Sequence, residues 1–429
     1  MSNQLDYRLQ IKSGRGKNNK MNSSTGIKWL LGLTAFCCAS LFSVVASFAD
    51  PIVSSGQIAI KRATVNASTQ EMRLLLPQLL QAKSRLPTLP FDADAFRNTI
   101  SSYPVPEGTP GVSGSTNRDT RAIGTGSTIW PYSTARVANS SSQPVSGIKN
   151  TPVTGLPYRA TGKLYVRFGT NWIVCTASLI RKSILITAAH CVHEFGRGTE
   201  GFADQVLWAP ANTGGVANPG FWGFYEATSW LVPMPYFHGT DTCTTRGIMC
   251  NNDIATAVLL PKNGTYAGDE LGGWYQYGWG GYSFDKSPAF GKSTLASITQ
   301  LGYPLTFDGG LQMQRNDSFG IYVADRGTNK KKFQNILLGS PMLGGSSGGP
   351  WLVNFGTEPN LTSPATMGKD SVRNVVVGVS SYALLEGTNI MGSSWFGKNA
   401  EFPDDNGVYG AGNIGHLMST TCTQYPAYC

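Results

Sequence analysis

Three short segments of this chain carry side chains that together can activate a hydroxyl for attack on a carbonyl. His190 lies in Thr187-Ala188-Ala189-His190-Cys191, Asp253 in Asn252-Asp253-Ile254-Ala255, and Ser347 in Gly345-Ser346-Ser347-Gly348-Gly349-Pro350. The three are 63 and 94 residues apart in that order. Serine alone is a poor nucleophile at neutral pH. An imidazole must take its proton, and a buried carboxylate must hold that imidazole in the right tautomer. Ser347 is therefore read as the nucleophile. His190 is read as the general base that later protonates the leaving amine, and Asp253 as its orienting acceptor. Glycine on either side of Ser346-Ser347 permits a tight turn that exposes the hydroxyl. Such a turn points the backbone N–H groups of Gly345 and Ser347 the same way, as an oxyanion hole requires.

These frames resemble those of the chymotrypsin-like, or trypsin-like, serine peptidases, over roughly residues 147–429. The resemblance implies a double six-stranded β-barrel with the active site in the cleft between the barrels. The spacing of the frames fits: 63 residues leave room for several strands and a long loop, and 94 for a second barrel. It also implies that Cys175 pairs with Cys191, tying the histidine loop to a neighbouring strand. Ser381, in Gly378-Val379-Ser380-Ser381-Tyr382, would support the buried aspartate, with Ser380 as the alternative register. Ser381 and Tyr382 would open the strand that pairs with substrate. One departure stands out. Digestive members of the family carry an aspartate before the nucleophile, which pairs with the new amino terminus on activation; here that residue is Ser346. The V8-like bacterial glutamyl endopeptidases also lack it, and Leu156-Pro157-Tyr158-Arg159-Ala160 resembles the start of their mature chains. Those enzymes bind glutamate through a histidine that has no counterpart between residues 350 and 415, so glutamate specificity is not expected. Pro341, six residues before Ser347, offers no charged pocket floor.

The elements that must position these residues read as strands. Leu164–Phe168, Trp172–Cys175, Ser183–Thr187, Ala255–Leu260, Ile321–Ala324, Trp351–Phe355 and Val375–Val379 are short β-branched or aromatic runs between turn residues. The 51 glycines and 24 prolines suit many tight turns. No long amphipathic helix is evident after residue 150, and βαβ alternation is absent, so the class is all-β.

Ahead of this lies a different texture. An apolar run, Trp29–Ala49, follows a basic stretch and ends in Ser47-Phe48-Ala49, which reads as a signal peptide over residues 1–49. Met21 offers an alternative start. Residues 50–146 read as a pro-segment with a Ser/Gly/Pro-rich linker, and Ser68–Arg85 carries a helical leucine pattern interrupted by Pro77. The expected product is a secreted, monomeric enzyme without a stable membrane anchor, made as a zymogen and acting on proteins or peptides. Because Ser346 is uncharged, the exact new amino terminus should matter little to activity.

The net charge of +9 does not point to nucleic acid. Residues 1–49 hold six Lys or Arg against one acid, whereas residues 122–429 hold twenty against eighteen. Six cysteines remain after the apolar run, an even number that implies disulfides in an exported chain. Cys243 with Cys250 and Cys422 with Cys429 would each close a short loop. No cofactor motif is present, and no metal is expected, since Cys-x-x-Cys pairs are lacking. His193, His238 and His416 read as surface or loop histidines. Two other classes compete. Gly345–Gly349 also satisfies the nucleophile elbow of an α/β-hydrolase esterase, with Ser347 served by His416. A catalytically inactive protease fold used as a binding module is the other, although none of the three reactive residues is missing.

Overall fold

The computed structural model describes residues 52–63, 78–79, 81–89, 130–139, 151–214, 219–286, 294–357, 372–384 and 388–429. The expected signal segment and most of the Ser68–Arg85 pattern lie outside these residues; within that pattern, Lys83–Ser84 forms a short strand rather than helix.

Numbering the barrel strands alone, the first barrel comprises β1 (Thr161–Phe168), β2 (Asn171–Arg181), β3 (Ile184–Thr187), β4 (Gln205–Pro210), β5 (Tyr225–Pro233) and β6 (Ala255–Leu259). They pair antiparallel in the order β5-β6-β3-β2-β1-β4, and β4 returns to β5 through Trp208 opposite Tyr225, closing the sheet. The second comprises β7 (Thr294–Gly302), β8 (Gln314–Arg326), β9 (Lys332–Gly339), β10 (Pro350–Val353), β11 (Val375–Leu384) and β12 (Ile390–Trp395). Its order is β7-β10-β11-β12-β9-β8, closed by β7 against β8 over Leu295–Gly302. Closure leaves neither barrel with a free edge on its main circuit.

Composition explains which runs become strands. Ile184-Leu185-Ile186-Thr187 and Val375-Val376-Val377 put stiff, branched side chains on a pleated surface and are buried throughout. The first barrel fills with Leu164, Val166, Ile184, Ile186, Trp208, Trp230 and Val258, among others. The second packs Ile298, Ile336, Leu338, Trp351 and Val377.

Part of the segment read as a pro-segment is built into these sheets. Ile58–Arg62 pairs with β5, with Lys61 opposite Trp230, and Ile58 and Ile60 are fully buried in the first core. Tyr132–Arg136 pairs with β8, and the Trp130 indole N–H donates to the Phe319 carbonyl at 2.8 Å. Ile60→Val should therefore lower the unfolding free energy by about 0.5–1.5 kcal/mol, the usual cost of one buried methyl. Urea denaturation of the full chain measures it, and an unchanged midpoint would mean residues 58–62 do not stay on β5.

One element was not anticipated: a helix over Gly412–Gln424. Its glycines and threonines weaken intrinsic propensity. Yet Ile414, Leu417, Met418 and Cys422 recur at three- and four-residue steps and pack into the first core. The Thr421 and Thr256 hydroxyls meet across this contact at 2.8 Å. Disulfides join Cys175 to Cys191, Cys243 to Cys250 and Cys422 to Cys429. Among the described residues no helix is long and apolar enough to cross a membrane.

Candidate active site

His190 sits in the single helical turn Ala189–Val192 that follows β3, and Cys191 beside it is bonded to Cys175 on β2. Asp253 ends the loop that leads into β6. That loop is held from behind: the Asn252 backbone and side-chain amides donate to the two carboxylate oxygens of Asp241 at 2.8 and 2.6 Å, and the Asn399 side-chain amide donates to Asn252 Oδ1 at 2.7 Å. Asp253 is consequently fixed before it meets the imidazole.

The contact between them has the arrangement expected of an oriented base. His190 Nδ1 lies 2.8 Å from Asp253 Oδ2, and the His190 backbone N–H donates to Oδ1 at 2.8 Å. The Ser381 hydroxyl donates to Oδ2 at 2.5 Å. Asp253 is 1% exposed and His190 7%, so these bonds work in a poorly screened setting. Ser381, not Ser380, takes the supporting position. Ser380 Oγ instead accepts from Gln300 Nε2 at 2.9 Å and Trp351 Nε1 at 3.0 Å.

Ser347 occupies the turn between β9 and β10. Gly345 has φ +99°, and a Cβ there would come within 2.4 Å of the Tyr303 carbonyl oxygen. Gly348 has φ +75°, and its Cβ would fall 2.0 Å from Thr187 Oγ1. Only glycine fits either place. Within the turn the Ser346 N–H donates to Leu343 O, and that of Gly348 to Ser380 O. The Gly345 and Ser347 N–H groups make no hydrogen bond among the described residues, so both remain available to an oxyanion. Ser346 satisfies its own hydroxyl on the Leu343 carbonyl at 2.7 Å. The turn is thus braced locally, without a charged partner at that position.

Thr176, which sequence reasoning did not single out, links the two halves of the site. Its N–H donates to Ser347 O at 2.7 Å and its hydroxyl to Gly345 O at 2.9 Å, while Thr187 Oγ1 donates to Thr176 O at 2.9 Å. The signal was its place beside Cys175, on the strand bonded to the histidine turn.

Ser347 Oγ and His190 Nε2 are both buried and have no hydrogen-bond partner. No hydrogen bond therefore joins the two atoms in this structure. Such bonds commonly tighten only when substrate is bound.

Other expectations resolve differently. Tyr382 lies on β11 beside Ser381, and the strand pairing expected of it does not involve its ring. The ring is fully buried in a cluster with Trp130, Leu337 and Ile390, and a Cβ on Gly392 would strike it. His193 is not a surface histidine. It is fully buried among Phe202, Tyr236 and Phe237, with Nε2 2.7 Å from Gly198 O, and burial pushes its pKa down to about 4. That keeps it neutral and apart from acid–base work near pH 7. The sulfurs near His190 and near Asp241 are bound in disulfides, so they offer no thiolate to a metal. The esterase reading fails on the fold. An elbow serine needs a helix after it, but β10 begins at Pro350. His416 instead lies on the Gly412–Gln424 helix beside Phe402, with Nε2 3.9 Å from Asp404.

No protein-family model matches the sequence, and no curated protein does. Solved structures that resemble it include protease Anisep from Arthrobacter nicotinovorans, at 22% identity over 56% of this chain and 91% of that chain, with a TM-score of 0.40. A thermostable serine protease, AL20, from an extremophilic microorganism gives 21% identity over 56% and 92%, with a TM-score of 0.39. A Glu endopeptidase gives 15% identity over 68% and 100%, also at 0.39. Strand connectivity decides the matter on this chain's own terms: two closed six-stranded antiparallel barrels, with histidine and aspartate on the first and the serine turn on the second, give it the chymotrypsin-like double-barrel fold of serine proteases.

Proposed function

We propose that this chain is a secreted serine endopeptidase that hydrolyses peptide bonds through Ser347, His190 and Asp253. The carrying observation is Asp253, which accepts from both His190 Nδ1 and Ser381 Oγ within one cleft with the Gly345–Gly348 turn. On this reading Ser347 Oγ turns toward His190 Nε2, loses its proton to it and attacks the substrate carbonyl carbon. The carbonyl oxygen takes the electron pair and is held by the Gly345 and Ser347 N–H groups. His190 returns the proton to the leaving amine, and an acyl-enzyme forms. Water then repeats the sequence and releases the acid. No cofactor or metal enters the scheme. Export agrees with three disulfides, which persist in oxidising compartments. Protein or peptide substrates, a monomeric state, no nucleic-acid partner and removal of a segment ending near residue 146 belong to the same proposal.

Fluorophosphonate labelling mapped by mass spectrometry is expected to modify Ser347, and a peptide library should be cleaved by the same preparation. Labelling elsewhere, or none after processing, would overturn the reading. Ser381 enters as a positioning residue. Ser381→Ala removes one donor to a buried carboxylate, so kcat should fall about 10–100-fold. KM should stay nearly constant, since the hydroxyl is spent on Asp253 rather than on substrate. A rise in KM alone would assign Ser381 to binding instead.

A further inference from the structure

Residues Lys83–Leu89 cross from one barrel to the other at the candidate site. Lys83–Ser84 pairs in parallel with Ile173–Val174 of β2, next to Cys175 and Thr176. Arg85 is ion-paired with Glu194, four residues beyond His190, and its guanidinium lies 4.3 Å over the Phe168 ring. Ser84 reaches the serine turn, since a Cβ on Gly344 would sit 2.1 Å from Ser84 Oγ. The Pro87 carbonyl then accepts from the Ala383 N–H at 3.0 Å, and Thr88–Leu89 continues in parallel with Ala383–Leu384 of β11.

Leu86 lies between these anchors. Its N–H donates to Ser84 Oγ at 3.2 Å, and its side chain packs on the apolar cluster that contains Met342, Ala383 and Met391. Those three flank the serine turn and the end of β11, and none carries a charge. The residue that follows is proline, which holds Leu86 extended. Meanwhile the Gly345 and Ser347 N–H groups stay unbonded among the described residues, so no carbonyl of this segment fills the oxyanion position.

We propose that Lys83–Leu89 is an internal plug whose Leu86 occupies the subsite for the side chain preceding the scissile bond, and that this subsite selects leucine-sized aliphatic residues. This rests on the peptidase reading and adds its specificity. The segment holds the subsite without presenting a peptide bond to Ser347, which lets it persist in the cleft. It also accounts for a nucleophile and base that are both buried and unpartnered.

The test compares the full chain with Leu86→Asp, and with Leu86→Gln as a milder variant, after thermal unfolding has checked that each is folded. A charged or polar side chain on that apolar cluster should release the segment. Losing the packing of one half-buried leucine side chain is sufficient for a roughly 3–10-fold shift in occupancy. Fluorophosphonate labelling of Ser347 should quicken by about that factor, and the released protein should cleave a peptide library after Leu and Met. Amide exchange at Ala383, whose N–H is held by Pro87, should quicken as well. Cleavage chiefly after Lys, Arg, Asp or Glu would overturn the assigned specificity. Ala383 exchange equal in all three proteins would overturn the plug even in a chain without peptidase activity. Faster Ala383 exchange with no labelling in any form would instead sink the peptidase reading, and with it the assigned specificity, while the plug itself would stand.

Discussion

Ser347→Ala, His190→Ala and Asp253→Asn should each lower kcat by roughly four to six orders of magnitude, because in the proposed mechanism the three act as one unit. The effects should not add: Ser347→Ala combined with His190→Ala is expected to be no worse than either alone. Their stabilities should differ. Ser347 Oγ makes no hydrogen bond, so its removal costs the fold little. Asp253→Asn turns one acceptor into a donor facing His190 N–H, Nδ1–H or Ser381 O–H, and should destabilise by about 1–3 kcal/mol. Steady-state kinetics with urea denaturation separate the two effects. Full activity in Ser347→Ala with none in Ser346→Ala would move the nucleophile by one residue. The geometry argues against that, since the Ser346 hydroxyl is committed to Leu343 O.

The candidate site was legible because the chemistry proposed for it leaves little freedom of residue type. A histidine turn closed by Cys191, an aspartate at a strand start and two glycines with φ near +99° and +75° leave distinctive local frames. The barrels were legible where strands are branched and apolar, as in β3, β6 and β11. They were not where burial is satisfied by polar groups. In β12, Ser393 and Ser394 are fully buried, and Ser394 Oγ donates to Asn251 O at 3.0 Å, so hydropathy gives no strand signal. In β8, Asn316 is fully buried and donates to Gly339 O at 2.9 Å, which hides most of a 13-residue strand behind polar residues. Which way the Tyr382 ring faces was not legible for a related reason. A bulge between Ser380 and Tyr382 changes which side chains face the cleft, and single-residue register is not written in composition. Likewise, nothing in Lys83-Ser84 or Thr88-Leu89 marks either pair as a strand. Each becomes one only where it meets β2 or β11.

Removing the Cys175–Cys191 bond is expected to cost both stability and turnover. The two cysteines are 16 residues apart, a loop whose closure stabilises by about 2–5 kcal/mol. Both are fully buried, so the double alanine variant avoids burying a new hydroxyl. The catalytic consequence follows from the neighbours. Cys191 adjoins His190, and Cys175 adjoins Thr176, which donates to the carbonyls of both Ser347 and Gly345. The disulfide therefore couples the turn that carries His190 to the strand that braces Gly345 and Ser347, the proposed oxyanion donors and nucleophile. Loosening it should let the two drift independently, and near-attack geometry is sensitive to displacements of an ångström. Cys422–Cys429 provides the control. It closes a shorter loop, with a separation of 7, at the end of the Gly412–Gln424 helix. Its removal should lower stability less and leave kcat nearly unchanged. Urea denaturation and initial-rate kinetics on both double variants, measured below their unfolding midpoints, decide the matter. If kcat falls equally in the two, the Cys175–Cys191 bond only stabilises the barrel, and Thr176 must hold the serine turn without its help.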